Sequence, residues 1–549
     1  MAFKRFLAIV LVGIMLFSAV GCSSDDTSSN NSSSSTVPEA QPTPEVTLLY
    51  SASDSLNPYK AETSLNRQLS LLMYDPLVKL DSRLQPQYHL AKSVEFDGKD
   101  YVITLKDAVF SDGSAVTAND VVFSLKLALE TELLAFKQQL SNIKSYKATE
   151  EGTVKVTLYK VDPYFANLLD FPIIKKGSDE LTDENKIALP PIGAGSYVFD
   201  TREKVLVANT KCYSGVPEVK TVKLINAPDD AVVKYNLEVG NVSIYYTDLT
   251  DGVIPPMSGN SAPLNLNNLV YLGVNLDNTF LENPNMRYAV ALAVDRTTVC
   301  NEAYFGYATP ATGLFNAAWD DAGSLQNLTK TADLENVVAI LKDIGYNSKD
   351  EEGFFVNSKG NPITFKLVVN TENERRLKTA ELVKHQLEAA GFKIDLEKLE
   401  WNKYVEALTY GNFDLYLAET KLNNNMDVTD LVTSGGALAY GIPDPKPAAP
   451  NSGNTDKENT AEGETDNKDN GKDDNKKPEF KSSVPLLDHA VKGFYGEELS
   501  LVDIINAFNA EMPVIPICHR QGLTSCNPKL QAQNMSSLSD AYFGVKYIK

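Results

Sequence analysis

A large mixed α/β protein of two or more domains is the expectation from sequence, on three grounds. Residues 332–418 alternate between helical and strand periodicity, as a sheet covered by helices does. The half before them reads as short strands and tight turns with occasional helices, a mix with much antiparallel pairing. The chain has 549 residues, 43% of them apolar, enough to bury a core that divides.

At the start, Lys4 and Arg5 precede the uncharged run "FLAIVLVGIMLFSAV", which stops at Gly21 and Cys22. Charge, a short apolar stretch and small residues make a secretory signal. The stretch is shorter than the roughly 20 residues of a membrane span. A cysteine straight after a small residue resembles the lipobox of bacterial lipoproteins, with Ala19 where leucine is usual. Residues 1–21 are therefore expected to be removed and Cys22 to carry lipid. The polar residues 22–44 would then be a flexible tether, and the lipid the sole membrane contact. An ordinary signal peptide with an incidental cysteine is the alternative. Loss of Lys4 and Arg5 takes the net charge from −21 to −23, which argues against a nucleic-acid partner.

Next, "DYVITL" predicts a strand, Asp112-Gly113 a turn, and Thr117 with Asp120 a capping box that opens a helix. "TVKVTLYK" and "KVLVANTKCY" predict more strands. Leu334, Val337, Val338, Leu341 and Ile344 keep helical spacing up to Gly345, and Ile363, Phe365, Leu367 and Val369 alternate as a strand. Ala380, Val383, Leu387 and Ala390 predict a helix ending at Gly391, followed by a strand through Phe392, Ile394 and Leu396. "WNKYVEALTYG" predicts a helix, and Phe413, Leu415 and Leu417 a strand. Pro443 to Glu479 contains no Val, Ile, Leu, Met, aromatic or Cys residue, so burial cannot offset its ordering entropy. It reads as a disordered insertion within a domain, or else an acidic arm for a metal or partner. Folded patterning resumes at "VPLLDHAV", Ser500 and Asp503 repeat the capping box, and "PVIPIC" predicts a closing strand. Cys518 and Cys526, flanking what reads as a short loop, either pair or stay free and buried.

Enzyme signatures are missing: the sequence has no HExxH, paired CxxC, GxSxG or phosphate loop. The glycines of "GAGSYV" follow prolines and lead into a strand, which fits close backbone approach at Gly193 and Gly195 better than a dinucleotide loop. His89, His385, His489 and His519 are too scattered to suggest a metal cluster, and no cofactor is expected.

The order of elements resembles a family. "YDPLVKLDSRLQPQYHLAKSVEFDGKDYVITLKDAVFSDGSAVTANDVVFSL", "PPIGAGSYVF", "NTKCYSGVPEVKTVKL" and "YLGVNLDNTFLENPNMRYAVALAVDRTTVCNEAYFGYATPA" follow one another. This colinear series resembles family 5 extracellular solute-binding proteins, the peptide, oligopeptide and nickel receptors of ABC importers. The resemblance implies a two-lobed periplasmic-binding-protein-like fold with discontinuous lobes, a hinge and an extra subdomain. The first lobe would take residues 45–265, with the subdomain at about 66–188, and the second 266–499, with 500–549 returning to the first. Arg287 and Asp295 would fix helices of the second lobe. It also implies a monomeric receptor and not an enzyme, closing on a solute and handing it to an ABC permease.

In the peptide-binding members an acid several positions past the "FD" strand pairs with the peptide's ammonium group. Here that strand runs "FDLYLAETKLNNNMDVTDL", and an ungapped count puts Asn423 at that position, beside Asn424. Glu419 and Asp427 are near enough to substitute if the loop differs slightly; alternatively "NNN" is only a surface loop. Tyr245, Tyr246 and Tyr416 line the cleft on this reading or pack in the core. A peptide is the expected solute. A nickel chelate, an oligosaccharide or a sensor role without transport remain alternatives.

Overall fold

The computed structural model describes residues 45–250, 253–444, 446–447, 480–528, 530 and 540–548. The expected signal at 1–21, Cys22, the tether at 22–44 and residues 448–479 of the acidic insertion lie outside the described residues. The insertion's described ends meet: Lys446–Pro447 pairs antiparallel with Phe480–Lys481.

Among the described residues, three sheets of four or more strands arise from the apolar alternation. Val46–Tyr50 runs parallel to Thr221–Asn226, with Val205–Ala208 and then Tyr197–Asp200 added antiparallel. Ala91–Phe96, Tyr101–Leu105, Val154–Leu158 and Ile143–Ala148 form an antiparallel sheet of four. The largest sheet runs Ile244–Thr247, Val514–Cys526, Asn260–Val274, Leu415–Lys421, Thr364–Asn370 and Lys393–Leu399, with Ala308–Pro310 also on Val514–Cys526. Its far side follows the expected alternation. Thr364–Asn370 is parallel to both neighbours, and the helices Glu374–Ala390 and Trp401–Thr409 supply the crossovers that parallel pairing requires. Gly391 ends the first of these helices at φ +101°, a conformation open to glycine.

These sheets serve two large hydrophobic cores. One gathers Val46, Leu48, Tyr101, Val154, Phe165 and Tyr197 around the first two sheets. The other gathers Leu272, Val290, Trp319, Phe365, Leu387 and Ile515 around the third. Val514–Cys526 spans both, since Cys518 lies in the second core and Cys526 in the first. Its long partner Asn260–Val274 follows it throughout, with a register shift between Asn265 and Asn268. Whereas the sequence reading puts the return to the first lobe at Ser500, the helix Leu501–Glu511 buries Leu501, Ile504, Ile505 and Phe508 in the second core. A capping box sets where a helix begins, not which core it covers.

Both capping boxes form, at Thr117 with Asp120 and at Ser500 with Asp503. Gly193 and Gly195 press on the Met73 carbonyl, where an added Cβ would lie 2.2 and 2.5 Å from its oxygen. Arg287 donates to the carbonyls of Leu281, Glu282 and Glu511, and Asp295 caps the helix Arg296–Tyr304. Cys518 and Cys526 do not form a disulfide: both are buried thiols. They share one continuous strand, and eight residues of strand span about 26 Å, far beyond disulfide reach.

Candidate functional site

The parallel pair Val46–Tyr50 and Thr221–Asn226 creates a crevice beyond its carboxyl ends, the usual place for a ligand on such a sheet. The loop from Ser51 to Asn57 leaves the first strand there. Fully buried Asn66 holds it, accepting from Ser51 N at 2.9 Å and donating to the carbonyls of Ser51, Asp54 and Ser55. Burial opposes ionisation of Asp54, but hydrogen bonds from Thr63 and from the amides of Glu62 and Ser55 outweigh it and keep the carboxyl below its usual range.

Two cavities adjoin this loop. One of about 600 Å³ is lined by the loop with Asp183, Leu189, Phe199 and Lys204. The other, about 190 Å³, is lined by Ser51, Gln68, Asp229, Tyr245, Tyr246 and Tyr542. Tyr245 and Tyr246, two candidate residues, thus share one cavity wall.

The next strand over brings Arg520, whose side chain is buried. Its Nε lies 2.5 Å from Glu419 Oε1, Nη1 donates to the Asp248 carbonyl, and Nη2 meets Thr250 Oγ1 at 3.1 Å. Asn268 Nδ2 also donates to Glu419 at 2.9 Å, and Arg376 Nη1 stands 3.7 Å from its other oxygen. Burial disfavours the Arg520 charge, yet the adjoining Glu419 carboxylate outweighs it and keeps the guanidinium firmly protonated.

Past Glu419, the asparagine-rich loop is held from beneath by fully buried Asn267, which donates to the carbonyls of Leu422 and Asn423. The Asn423 backbone is thereby fixed, while its half-buried side-chain amide bonds no described residue. Asn424 Nδ2 donates to Asp170 at 2.8 Å, and Asp427 forms an ion pair with Lys160 at 2.9 Å. Burial would raise the Asp427 carboxyl, but Lys160 and Thr429 more than compensate and hold it low. The loop is therefore not a bare surface turn, since Asn424 and Asn425 are buried.

Tyr416 is placed elsewhere. Its ring is buried between Phe413 and Tyr271, at centroid separations of 4.9 and 6.0 Å. Among the described residues no group of three or more His, Cys, Asp or Glu is placed to hold a metal, and no helix is long and apolar enough to cross a membrane.

Sequence reasoning did not find Arg520, Arg376, Lys160 or Asn267. An arginine two residues past the apolar run "VIPIC" was the one signal present, because a charge within a buried strand needs a partner. Lys160 and Asn267 sit in ordinary polar surroundings in the sequence and carry no such mark.

A two-core α/β scaffold, with a crevice beyond the strand ends of one core and a polar loop on the other, has the build of a solute receptor of the binding-protein type. Residues 85–438 match the family described as bacterial extracellular solute-binding proteins, family 5 middle, and the chain belongs to that family. It is a substrate-binding protein of ABC importers, a non-enzymatic class. The oligopeptide-binding protein AppA of Bacillus subtilis is 26% identical over 391 residues, covering 67% of this chain and 69% of that one. The glutathione-binding protein GsiB of Salmonella typhi is 25% identical over 306 residues, covering 53% and 59%. A crystal structure of a nickel ABC transporter from Bacillus halodurans shares the fold, with a TM-score of 0.68, 17% identity, and 92% and 99% of the two chains covered.

Proposed function

We propose that this protein is an extracytoplasmic receptor, lipid-anchored at Cys22, that binds a peptide-like solute between two lobes and delivers it to an ABC permease. Kinship with peptide-binding relatives supports the solute class. The lobes are taken as 45–265 and from 266 through the helix Leu501–Glu511, with the return to the first lobe along Val514–Cys526, and the crossing strands Asn260–Val274 and Val514–Cys526 serve as the hinge. A solute touching both lobes favours the closed state.

The observation that carries the reading of the site is the state of its acids. Glu419 is taken up by Arg520 and Arg376 and Asp427 by Lys160, while the Asn423 amide bonds no described residue. A neutral amide cannot balance a buried ammonium. The solute end that meets this loop is thus uncharged, as in a peptide with a blocked N-terminus, with Tyr245 and Tyr246 packing along its length. Thermal-shift titration with matched free and N-acetylated peptides, and with a nickel chelate, is the test. Stabilisation by the acetylated peptides is expected. Stabilisation by free peptides alone would return the ammonium role to Glu419 or Asp427, and a response to the chelate alone would end the peptide reading.

A further inference from the structure

Where the two cores meet, the segment Lys160–Asp170 lies on the asparagine-rich loop. Lys160 Nζ is 2.9 Å from Asp427 Oδ2, 3.3 Å from Thr429 Oγ1 and 3.8 Å from the centre of the Tyr495 ring. Asn425 Nδ2 donates to Asp162 Oδ2 at 2.7 Å, and Asn167 Nδ2 to the Asn424 carbonyl at 3.1 Å. The Tyr164 ring stands edge-on to Trp319, 4.9 Å between centroids. Asp162 is fully buried in this seam.

The groups around Asp162 come from four elements. Tyr101 comes from the strand Tyr101–Leu105, Lys160 and Tyr164 from its own segment, Asn425 and Asp427 from the loop, and Tyr495 from the helix Pro485–Tyr495. With its carboxylates ionised, the seam sets Asp162, Asp427 and Asp170, the last accepting from Asn424 Nδ2, against the single ammonium of Lys160. A proton on Asp162 lowers that excess of negative charge, and a protonated Asp162 still bonds to Asn425.

We propose that this seam is a proton-operated latch: a proton on Asp162 fastens the segment Lys160–Asp170 onto the loop Asn424–Thr429, and its departure loosens them. Burial, reinforced by Asp427, pushes the Asp162 carboxyl up to about 6 despite hydrogen bonds from Asn425 and the Tyr164 amide and the nearby Lys160 charge. Once the seam opens to water, an ordinary aspartate takes the proton only near 3.9. The closed seam therefore binds the proton more tightly, and closing gains up to about tenfold per pH unit from about 6 down to 4. Resting on the receptor reading, solute would be held more firmly in acid and released toward neutrality.

Hydrogen exchange of the whole chain without solute, at pH 5.0 and 7.5 and corrected for intrinsic rates, tests the latch. Amides of residues 160–170 and 422–432 are expected to be about tenfold better protected at pH 5.0. Asp162→Asn should show the higher protection at both pH values. Equal protection of the native chain at both pH values would overturn the proposal without any variant, as would a pH dependence retained in Asp162→Asn. Because no solute is present, failure of every solute to bind would sink the receptor reading and leave the latch standing.

Discussion

Gly273 lies opposite Tyr416 on adjoining strands, and a Cβ there would sit 1.9 Å from carbons of the tyrosine ring. Gly273→Ala is expected to cost on the order of 1–3 kcal/mol in denaturant unfolding, with Tyr416→Leu recovering part of it. Strand alternation made Tyr416 legible as a residue of one sheet face but could not say what filled that face, so it stood as a cleft candidate. His519 was legible even less. It is buried, and neither ring nitrogen has a hydrogen-bond partner among the described residues. Burial pushes its imidazole from 6.5 down to about 3. Between those values the unfolded chain holds the extra proton, so stability falls as pH drops from about 6.5 toward 3. Asp162, shifted upward, acts in the opposite sense between about 3.8 and 6. His519→Leu should therefore raise Tm at every pH, and more at pH 5 than at pH 8; an equal gain at both would show that the imidazole charges freely in the fold.

The helices Ala118–Glu130 and Leu501–Glu511 were legible because their signals are local, a cap followed by apolar spacing. Ser500→Ala is expected to lower stability by about 1 kcal/mol through the lost cap, measured as a shift in denaturant midpoint at constant slope. The loop after the strand Leu415–Lys421 was visible only as a polar run, since its partners lie far away in the chain. Lys160 and Asp170 precede it by more than 250 residues, and Arg520 follows Glu419 by 101. No periodicity reports such pairings. Glu419→Gln should be costly, on the order of 3–5 kcal/mol, because it leaves the buried Arg520 guanidinium without its counter-charge. Removing both charges in Glu419→Gln/Arg520→Met should recover much of that loss in equilibrium unfolding.

For the whole molecule, the colinear motifs made the family and the two-part α/β plan legible from sequence. The point where the chain returns to its first core was not. That point falls within Val514–Cys526, a single strand buried at every position but Gln521, so no turn or change of burial marks where it passes from one core to the other. On the proposed anchoring, a chain beginning at Ser23 should keep its fold and its solute binding and lose transport; loss of binding would show that the tether does more than hold. The crossing strands carry a thermodynamic consequence. Asn260–Val274 and Val514–Cys526 are bonded over most of their length, and neither core can lose its share of that ladder without fraying the other's. Two bodies joined by a flexible string would melt one after the other, but these should melt as one. Calorimetry on the whole chain should show a single transition whose van't Hoff and calorimetric enthalpies agree.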